Sequence, residues 1–293
     1  MSSRIPRLLL VVTALTALAA LVGGLAGASA AAGAKNPKIA KQVPTAIRDK
    51  GTLTVASDAT YAPMEFVGKN AKTVIGVDAD LAKALGQVLG LKLRVVNATF
   101  ATIIPGLQSG KYDLGMSSFT ATKKRQKVVD FVTYFSAGTS FYVKASGGPS
   151  IHGLADLCGR TVAVENGTTQ LDDATAQNAK CKKSGKSSVK ISAFPDQNAA
   201  NLALASGRAD VGMADSPVAA YIVEQSHGQF KLSGKSYGTA PYGIALPKGN
   251  GMANPVLHAV QALMKNGTYK AILKKWGVQG GAISNPKING AIS

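Results

Sequence analysis

Small hydroxyl and carboxylate side chains, the groups best suited to chemistry in this chain, are concentrated in four short segments. The segments are residues 58–61, 117–120, 165–169 and 214–216. Hydroxyl, carboxylate and backbone amide groups can together hold a small polar solute through hydrogen bonds. No nucleophile–base pair, metal-ligand cluster or phosphate-binding loop accompanies them, and the three histidines are dispersed. The sequence therefore predicts a binding site that uses neither a metal nor a cofactor.

The elements that must position these segments alternate between strand and helix. Residues 52–57 are rich in β-forming side chains, and Asp78 is expected to cap an apolar-periodic helix that ends at Leu89. Residues 91–96 predict a strand, and residues 103–108 predict a short helix. This alternation is typical of the α/β fold class.

One structural unit occurs twice in the chain. Residues 107–116 (LQSGKYDLGM) recur as residues 204–213 (LASGRADVGM), each with a helix end, a glycine cap, a basic residue and a short buried strand. A looser echo relates residues 54–58 to residues 161–165, where a strand again ends in an acid. Because ligands of open α/β sheets lie beyond the carboxyl ends of the strands, the polar segments are expected to face each other in a cleft between two similar lobes.

The same segments also carry a family resemblance, which extends from Gly51 to about Trp276. The chain resembles the bacterial extracellular solute-binding proteins of the polar amino-acid type, the receptors of ABC importers for lysine/arginine/ornithine, histidine and glutamine. The matching segments, in order, are residues 57–66, 76–81, 104–107, 117–125, 129–131, 167–170 and 209–210. The resemblance implies a type II periplasmic-binding-protein-like fold, with two α/β lobes joined by two crossover strands. It also implies an amino-acid ligand and, as partner, an importer's membrane permease with its ATPase.

The resemblance assigns a role to each end of an amino-acid ligand. Arg125 would grip the ligand carboxylate as a bidentate fork, and the hydroxyls of Ser118 and Thr120 would add donors. Main-chain amides near Thr169, at a helix start, would favour the same negative charge, and Asp215 would receive the α-ammonium group.

The resemblance also implies how the ligand side chain is held. Tyr61 and Phe100 would sandwich its stem, and Asp58 and Glu165 would lie at its far end. The complete predicted ligand-binding set is Asp58, Tyr61, Phe100, Ser117, Ser118, Thr120, Arg125, Glu165, Thr168, Thr169 and Asp215. The two acids favour a cationic side chain slightly.

Structural roles compete with several of these assignments. An arginine in a Lys-Lys-Arg cluster is often only solvated, and Asp215 could cap the helix that begins at the Ser-Pro pair after it. Thr168 and Thr169 have a similar capping alternative. Phe100 could be an ordinary core residue, and Glu165 could point to solvent.

Two rival functions are also open. The fold hosts cyclohexadienyl-dehydratase-like enzymes, and such chemistry needs a poised acid in the cleft, which Glu165 or Glu65 could supply. A membrane-receptor sensor would need a spanning helix or a signalling domain after the lobes, whereas about seventeen residues follow Trp276. Binding without catalysis is the favoured prediction.

The first thirty residues are predicted to be a secretory signal peptide. Arg4 and Arg7 precede the apolar residues 8–22, and Ala28-Ser29-Ala30 is a small-x-small cleavage site. We therefore expect export to a periplasm or the cell surface, without the cysteine that anchors a lipoprotein. The formal charge of +18 falls to +16 once this segment is removed. We interpret that charge as surface chemistry rather than nucleic-acid binding.

The chain has two cysteines, Cys158 and Cys181. In an exported protein an isolated pair is expected to be bonded, which would stabilise the fold by roughly 3 kcal/mol in the chain-entropy model.

The predicted organisation is that of a monomer that closes two lobes around one solute. The predicted divisions are a signal peptide at 1–30, a flexible segment at 31–49, lobe 1 at 50–143 plus 242–276, lobe 2 at 144–241 and a flexible tail at 277–293.

Overall fold

A computed structural model describes residues 35–291 of the chain. The predicted signal peptide lies outside these residues. The strands are β1 (Thr52–Ser57), β2 (Thr60–Tyr61), β3 (Glu65–Val67), β4 (Val74–Ile75), β5 (Lys92–Asn97), β6 (Leu114–Gly115), β7 (Val129–Lys144), β8 (Thr161–Glu165), β9 (Lys190–Phe194), β10 (Val211–Asp215) and β11 (Phe230–Pro247). The helices are α1 (Pro37–Ala40), α2 (Thr45–Lys50), α3 (Val77–Leu89), α4 (Phe100–Gln108), α5 (Lys123–Gln126), α6 (Thr169–Lys183), α7 (Gln197–Ala205), α8 (Ser216–Gln225), α9 (Ala253–Lys265) and α10 (Thr268–Lys275).

Eight strands form one sheet in the order β5-β1-β6-β11-β7-β10-β8-β9. On one side β1 pairs in parallel with β5 and β6, and on the other side β8 pairs in parallel with β9 and β10. In each half, the sheet strand that comes first in the chain (β1 or β8) therefore lies between the two that follow it in sequence (β5 and β6, or β9 and β10). This shared topology confirms the two similar α/β lobes that the repeat predicted.

Two long antiparallel strands, β7 and β11, join the lobes. Thr139 of β7 pairs with β10 of lobe 2, whereas Ala245 of β11 pairs with β6 of lobe 1. The register of the two strands shifts between Ser233 and Tyr237 and again before Ala240. Residues 139–142 of β7, which the prediction assigned to lobe 1, therefore pair with a strand of lobe 2.

Helix α3 shows how the sequence builds lobe 1. Val77, Leu81, Leu85 and Val88 recur at helical spacing and are all buried against the sheet. The helix begins after Gly76, whose φ of +127° and close approach to a neighbouring carbonyl exclude a side chain. The predicted cap at Asp78 is wrong, because that carboxylate turns inward and binds other groups.

Helix α4 begins at residue 100, three residues earlier than predicted. The Asp58 carboxylate, distant in sequence, accepts a hydrogen bond of 2.8 Å from the Phe100 N–H and so stabilises this end of the helix. A local pattern could not reveal this contact.

The segment predicted to be flexible at 31–49 forms α1 and most of α2 within the described residues. Ile39 and Val43 are buried in the core of lobe 1. Two apolar side chains among many lysines were too weak a signal to predict this packing.

The tail predicted to be flexible at 277–293 also packs on lobe 1 as far as it is described. Val278 is buried, and the Asn289 side chain accepts a hydrogen bond from the Phe131 N–H at 2.9 Å. The Gly- and Asn-rich composition predicted a loop correctly but did not predict its contacts.

Lobe 2 has a core of its own, which includes Val162, Val164 and Met213. The disulfide between Cys158 and Cys181, with Cα atoms 5.7 Å apart, links the loop before β8 to α6 and is confirmed. None of the described helices is long and apolar enough to cross a membrane.

Candidate ligand-binding cleft

A cavity between the two lobes brings together all eleven residues of the predicted ligand set. The non-protein space among its lining residues, including solvent at its mouth, is about 280 Å³. Its lining is Asp58, Tyr61, Glu65, Phe100, Ser117, Ser118, Thr120, Arg125, Glu165, Thr168, Thr169, Gln170 and Asp215. Asp58, Ser117, Glu165 and Asp215 lie at or just after the carboxyl ends of β1, β6, β8 and β10, as the rule for open α/β sheets predicts.

The lobes touch each other directly at this cavity. The Asp215 N–H of lobe 2 donates to the Tyr61 hydroxyl of lobe 1 at 2.9 Å. Nearby, the Gln197 N–H donates to the Thr60 hydroxyl at 3.2 Å. A ligand between the lobes is therefore within reach of both.

Arg125 crosses the cleft from lobe 1. Its guanidinium donates to the Thr120 carbonyl in its own lobe and to the Gly167 carbonyl in lobe 2, each at 2.9 Å. The group also lies over the rings of Phe100 and Phe119, 5.3 and 5.5 Å from their centroids. A guanidinium has five N–H donors, so donors remain for a carboxylate. Burial lowers the pKa of Arg125 to about 10, which leaves it cationic at neutral pH.

Asp215 is held with its carboxylate inside the cleft. Gln170 donates to one oxygen at 2.7 Å, and the Tyr242 hydroxyl donates to the other at 2.6 Å. Although Asp215 occupies the N-cap position of α8, its side chain makes no capping hydrogen bond. Burial raises its pKa to about 6, against the opposing effect of these donors. The capping alternative for Asp215 is therefore wrong.

The start of α6 contributes both a cap and helix amides. The Thr168 hydroxyl accepts from the Leu171 N–H at 3.3 Å and donates to the Glu165 carbonyl at 2.7 Å. The capping role considered for Thr168 is therefore present. Thr169 is the first helical residue, and the first N–H groups of a helix have no intrahelical acceptor. This end of the cleft favours an anion.

Two carboxyl groups, one from each lobe, meet in the lining of the cleft. Asp58 accepts from the Thr60 hydroxyl at 2.6 Å as well as from Phe100, and Glu165 faces it from lobe 2. Glu165 is only 2% exposed, so the solvent-pointing alternative is wrong. Burial raises the pKa of both carboxyls, Glu165 the more strongly.

A second acid pair consists of Glu65, which lines the cavity, and Asp78, which lies behind that lining. The hydroxyls of Ser117 and Ser118 donate to the two oxygens of Glu65 at 3.2 and 3.1 Å. Asp78 accepts from the Tyr134 hydroxyl at 2.6 Å and from the Ser118 N–H at 3.0 Å. Burial raises the pKa of both acids, that of Asp78 to about 6. This network fixes the two serines that line the cavity.

The two predicted aromatic residues both reach the cavity. Tyr61 is buried, and its hydroxyl bonds to lobe 2 as described above. Phe100 stacks on Phe119 at 4.6 Å within the core of lobe 1, so its core and cleft roles coexist.

Glu65 and Gln170 line the cavity but were absent from the predicted ligand set. Both fall inside segments that match the resembled family, at 57–66 and 167–170, and that position was the available signal. Among the described residues no cluster of His, Cys, Asp and Glu could hold a metal ion.

Comparisons with known proteins agree with this geometry. Residues 53–279 match the sequence profile of the bacterial extracellular solute-binding proteins, family 3. The arginine-binding protein ArgT of Corynebacterium glutamicum is 33% identical over 254 residues, which cover 86% of this chain and 83% of that protein. An ancestral arginine-binding protein is similar in structure both when bound to arginine and when bound to glutamine. The arginine-bound form is 38% identical with a TM-score of 0.71, and it covers 77% of this chain and 98% of its own. The glutamine-bound form is 37% identical with a TM-score of 0.72, and the match covers 78% of this chain and 98% of that one.

The predicted family is thereby confirmed, and with it the preference for binding over catalysis. The fold, the cleft between the lobes and the profile match lead to one identification: the chain belongs to the bacterial extracellular solute-binding proteins, family 3.

Proposed function

We propose that this protein is the receptor of an ABC importer and that its cleft binds a basic amino acid, arginine before the others. Arg125, Thr120 and the start of α6 receive the ligand carboxylate. Asp215 receives the α-ammonium group, and Asp58 and Glu165 receive the cationic end of the side chain.

The charge distribution of the cleft carries the proposal. Arg125 is the cation in the lining, and it lies near Asp215, where we place the amino-acid group of the ligand. Asp58, Glu65 and Glu165 lie elsewhere in the lining, buried and with raised pKa values. Grouped buried acids are costly to ionise without a countercharge. A guanidinium or ammonium group on the ligand would supply that charge.

The relatives support the same substrate class. The protein from C. glutamicum is named for arginine, and the ancestral protein has been observed with arginine and with glutamine. Both ligands share the α-amino-acid end, so the far end of the cleft must make the distinction. We assign Asp58 and Glu165 to that end in this chain, and two carboxyl groups there favour the cation.

The proposed mechanism is closure of two lobes about β7 and β11. Arg125 and Asp215 come from different lobes, so one zwitterionic ligand engages both and stabilises their approach. A permease with its ATPase would recognise the closed form and supply the energy of transport. We further propose that the receptor acts as a monomer on the outer side of the membrane.

A thermal-shift screen of the mature protein tests this function. The panel holds the standard amino acids with ornithine and citrulline, and calorimetry follows for each hit. A ligand at about a thousand times its Kd should add roughly 4 kcal/mol of stability, a shift of several degrees in Tm. Arginine is expected to give the largest shift. Folded, ligand-free protein that no amino acid stabilises would refute the proposal.

A further inference from the structure

Asp58 and Glu165 form a cross-cleft pair, one carboxyl from each lobe. Asp58 follows β1 in lobe 1, and Glu165 is the last residue of β8 in lobe 2. Their side chains lie within hydrogen-bonding reach of each other, and both are at most 3% exposed. Closing the lobes therefore brings two carboxyl groups together away from water.

The two members of the pair have different surroundings. Both oxygens of Asp58 already accept hydrogen bonds, from the Thr60 hydroxyl and the Phe100 N–H. Such donors favour an ionised carboxylate. Glu165 instead has a buried oxygen, Oε1, that has no hydrogen-bond partner within residues 35–291. Of the two acids, Glu165 is therefore the one with an oxygen, Oε1, that can take a proton or a hydrogen bond from a donor in the cavity.

No nearby protein cation neutralises the pair among the lining residues. The titratable groups that face it are Tyr61, Glu65, Tyr142, Asp196 and Asp215. These groups are acids or neutral hydroxyls, and Arg125, the cation of the lining, bonds to the Thr120 and Gly167 carbonyls instead. The countercharge at this end must come from a proton or from the ligand.

We propose that Glu165 determines specificity by proton exchange: the cross-cleft pair holds one proton when a neutral side chain is bound and releases it when a cationic side chain enters. This inference rests on the proposed function and extends it. The proton leaves Glu165 for the solvent, and the pair passes from one negative charge to two. The ligand's single positive charge restores the original balance. Arginine binding therefore strengthens as pH rises, whereas binding of an equally shaped neutral ligand does not gain in this way.

Arginine and citrulline form a matched ligand pair for the test. Arginine carries a charged guanidinium where citrulline carries a neutral urea group, and both have the same amino-acid end. Effects of Asp215 on binding therefore cancel in the ratio of the two Kd values. Kd values are measured by calorimetry from about pH 5 to about pH 8, where the arginine side chain keeps its charge. Release of one proton predicts that the citrulline-to-arginine Kd ratio rises by up to about tenfold per pH unit. Buffers with different ionisation enthalpies count the released protons directly.

The variant E165Q keeps the shape of the side chain and removes its titration. In E165Q the ratio is expected to become flat with pH, and proton release with arginine should disappear. Glu224→Gln, at an exposed position of α8 outside the cavity, is the matched control and should retain the wild-type slope.

The outcomes separate the two proposals. If arginine binds wild-type protein but the citrulline-to-arginine Kd ratio does not change with pH and no proton is released, the exchange mechanism is wrong. The receptor function would then still stand. If the Kd ratio of E165Q keeps the wild-type dependence on pH, the proton comes from another acid. That result also overturns the proposed role of Glu165. Failure of every amino acid to bind overturns both proposals.

Discussion

Replacing Arg125 with alanine removes the proposed partner of the ligand carboxylate. In the structure its guanidinium spans the cleft between the Thr120 and Gly167 carbonyls and lies on two aromatic rings. The variant would leave a carboxylate in a buried site without its cation, a change that costs about 3–5 kcal/mol. That energy corresponds to a rise in Kd of roughly a hundredfold to several thousandfold. Asp215 would then hold only one end of the zwitterion, and binding should be lost in practice.

Arg125→Lys tests whether binding depends on the positive charge alone or also on the planar shape of the guanidinium. Lysine keeps the positive charge but cannot donate to both carbonyls and a carboxylate as a planar fork, so we expect a loss of about 1–2 kcal/mol, roughly tenfold in Kd. Calorimetry with arginine measures both variants, and their Tm values without ligand report folding. A folded Arg125→Ala protein with a Kd within about threefold of wild type would remove the ligand assignment.

Three further predictions concern stability and closure. Asp215 has its pKa raised from 3.8 to about 6, so the folded state binds more protons than the unfolded state between these values. Ligand-free protein should therefore lose stability as pH rises from about 4 to about 6, and Tm should fall in a pH series. Removing the disulfide with Cys158→Ala and Cys181→Ala should cost about 3 kcal/mol in a denaturant titration. Kd should not change, because the bond lies outside the cavity lining. Gly167→Ala should weaken ligand binding, because the residue has φ +79° and its Cβ would lie 3.1 Å from Ala101 in the other lobe.

Each of these expectations has an opposite result that would count against it. A Tm that rises across the same pH window would mean that other groups control stability. A change in Kd with the loss of the disulfide would connect that bond to the cleft. Unchanged affinity in Gly167→Ala would show that the approach to Ala101 does not limit closure.

The repeat was the part of the sequence that predicted the fold best. Two features each occur twice in the sequence: a strand followed or ended by an acid, and a Ser-Gly-basic unit that precedes a short buried strand. The two copies of each feature occupy equivalent places in the two lobes. Position relative to strand ends then placed the polar segments in one cleft. Both steps work because the carboxyl ends of parallel strands share one edge of a sheet.

Long-range hydrogen bonds account for what the sequence could not predict. Asp78 looked like a helix cap, yet its oxygens accept from Tyr134 and Ser118, which are distant in the chain. The start of α4 depends in the same way on Asp58. Capping patterns describe only neighbours in sequence, so a side chain that bonds across the fold escapes them.

The contact between Asp58 and Glu165, which bears on function, also could not be predicted from sequence patterns. Each acid could be placed at a strand end from its own lobe's pattern, but their meeting depends on how β7 and β11 orient one lobe against the other. Separate carboxylates on open surfaces would be ordinary solvated acids. When the lobes close, burial and mutual repulsion favour a shared proton or a bound cation. The proposed preference for basic ligands is therefore a property of the closed pair of lobes, which neither half of the repeat possesses alone.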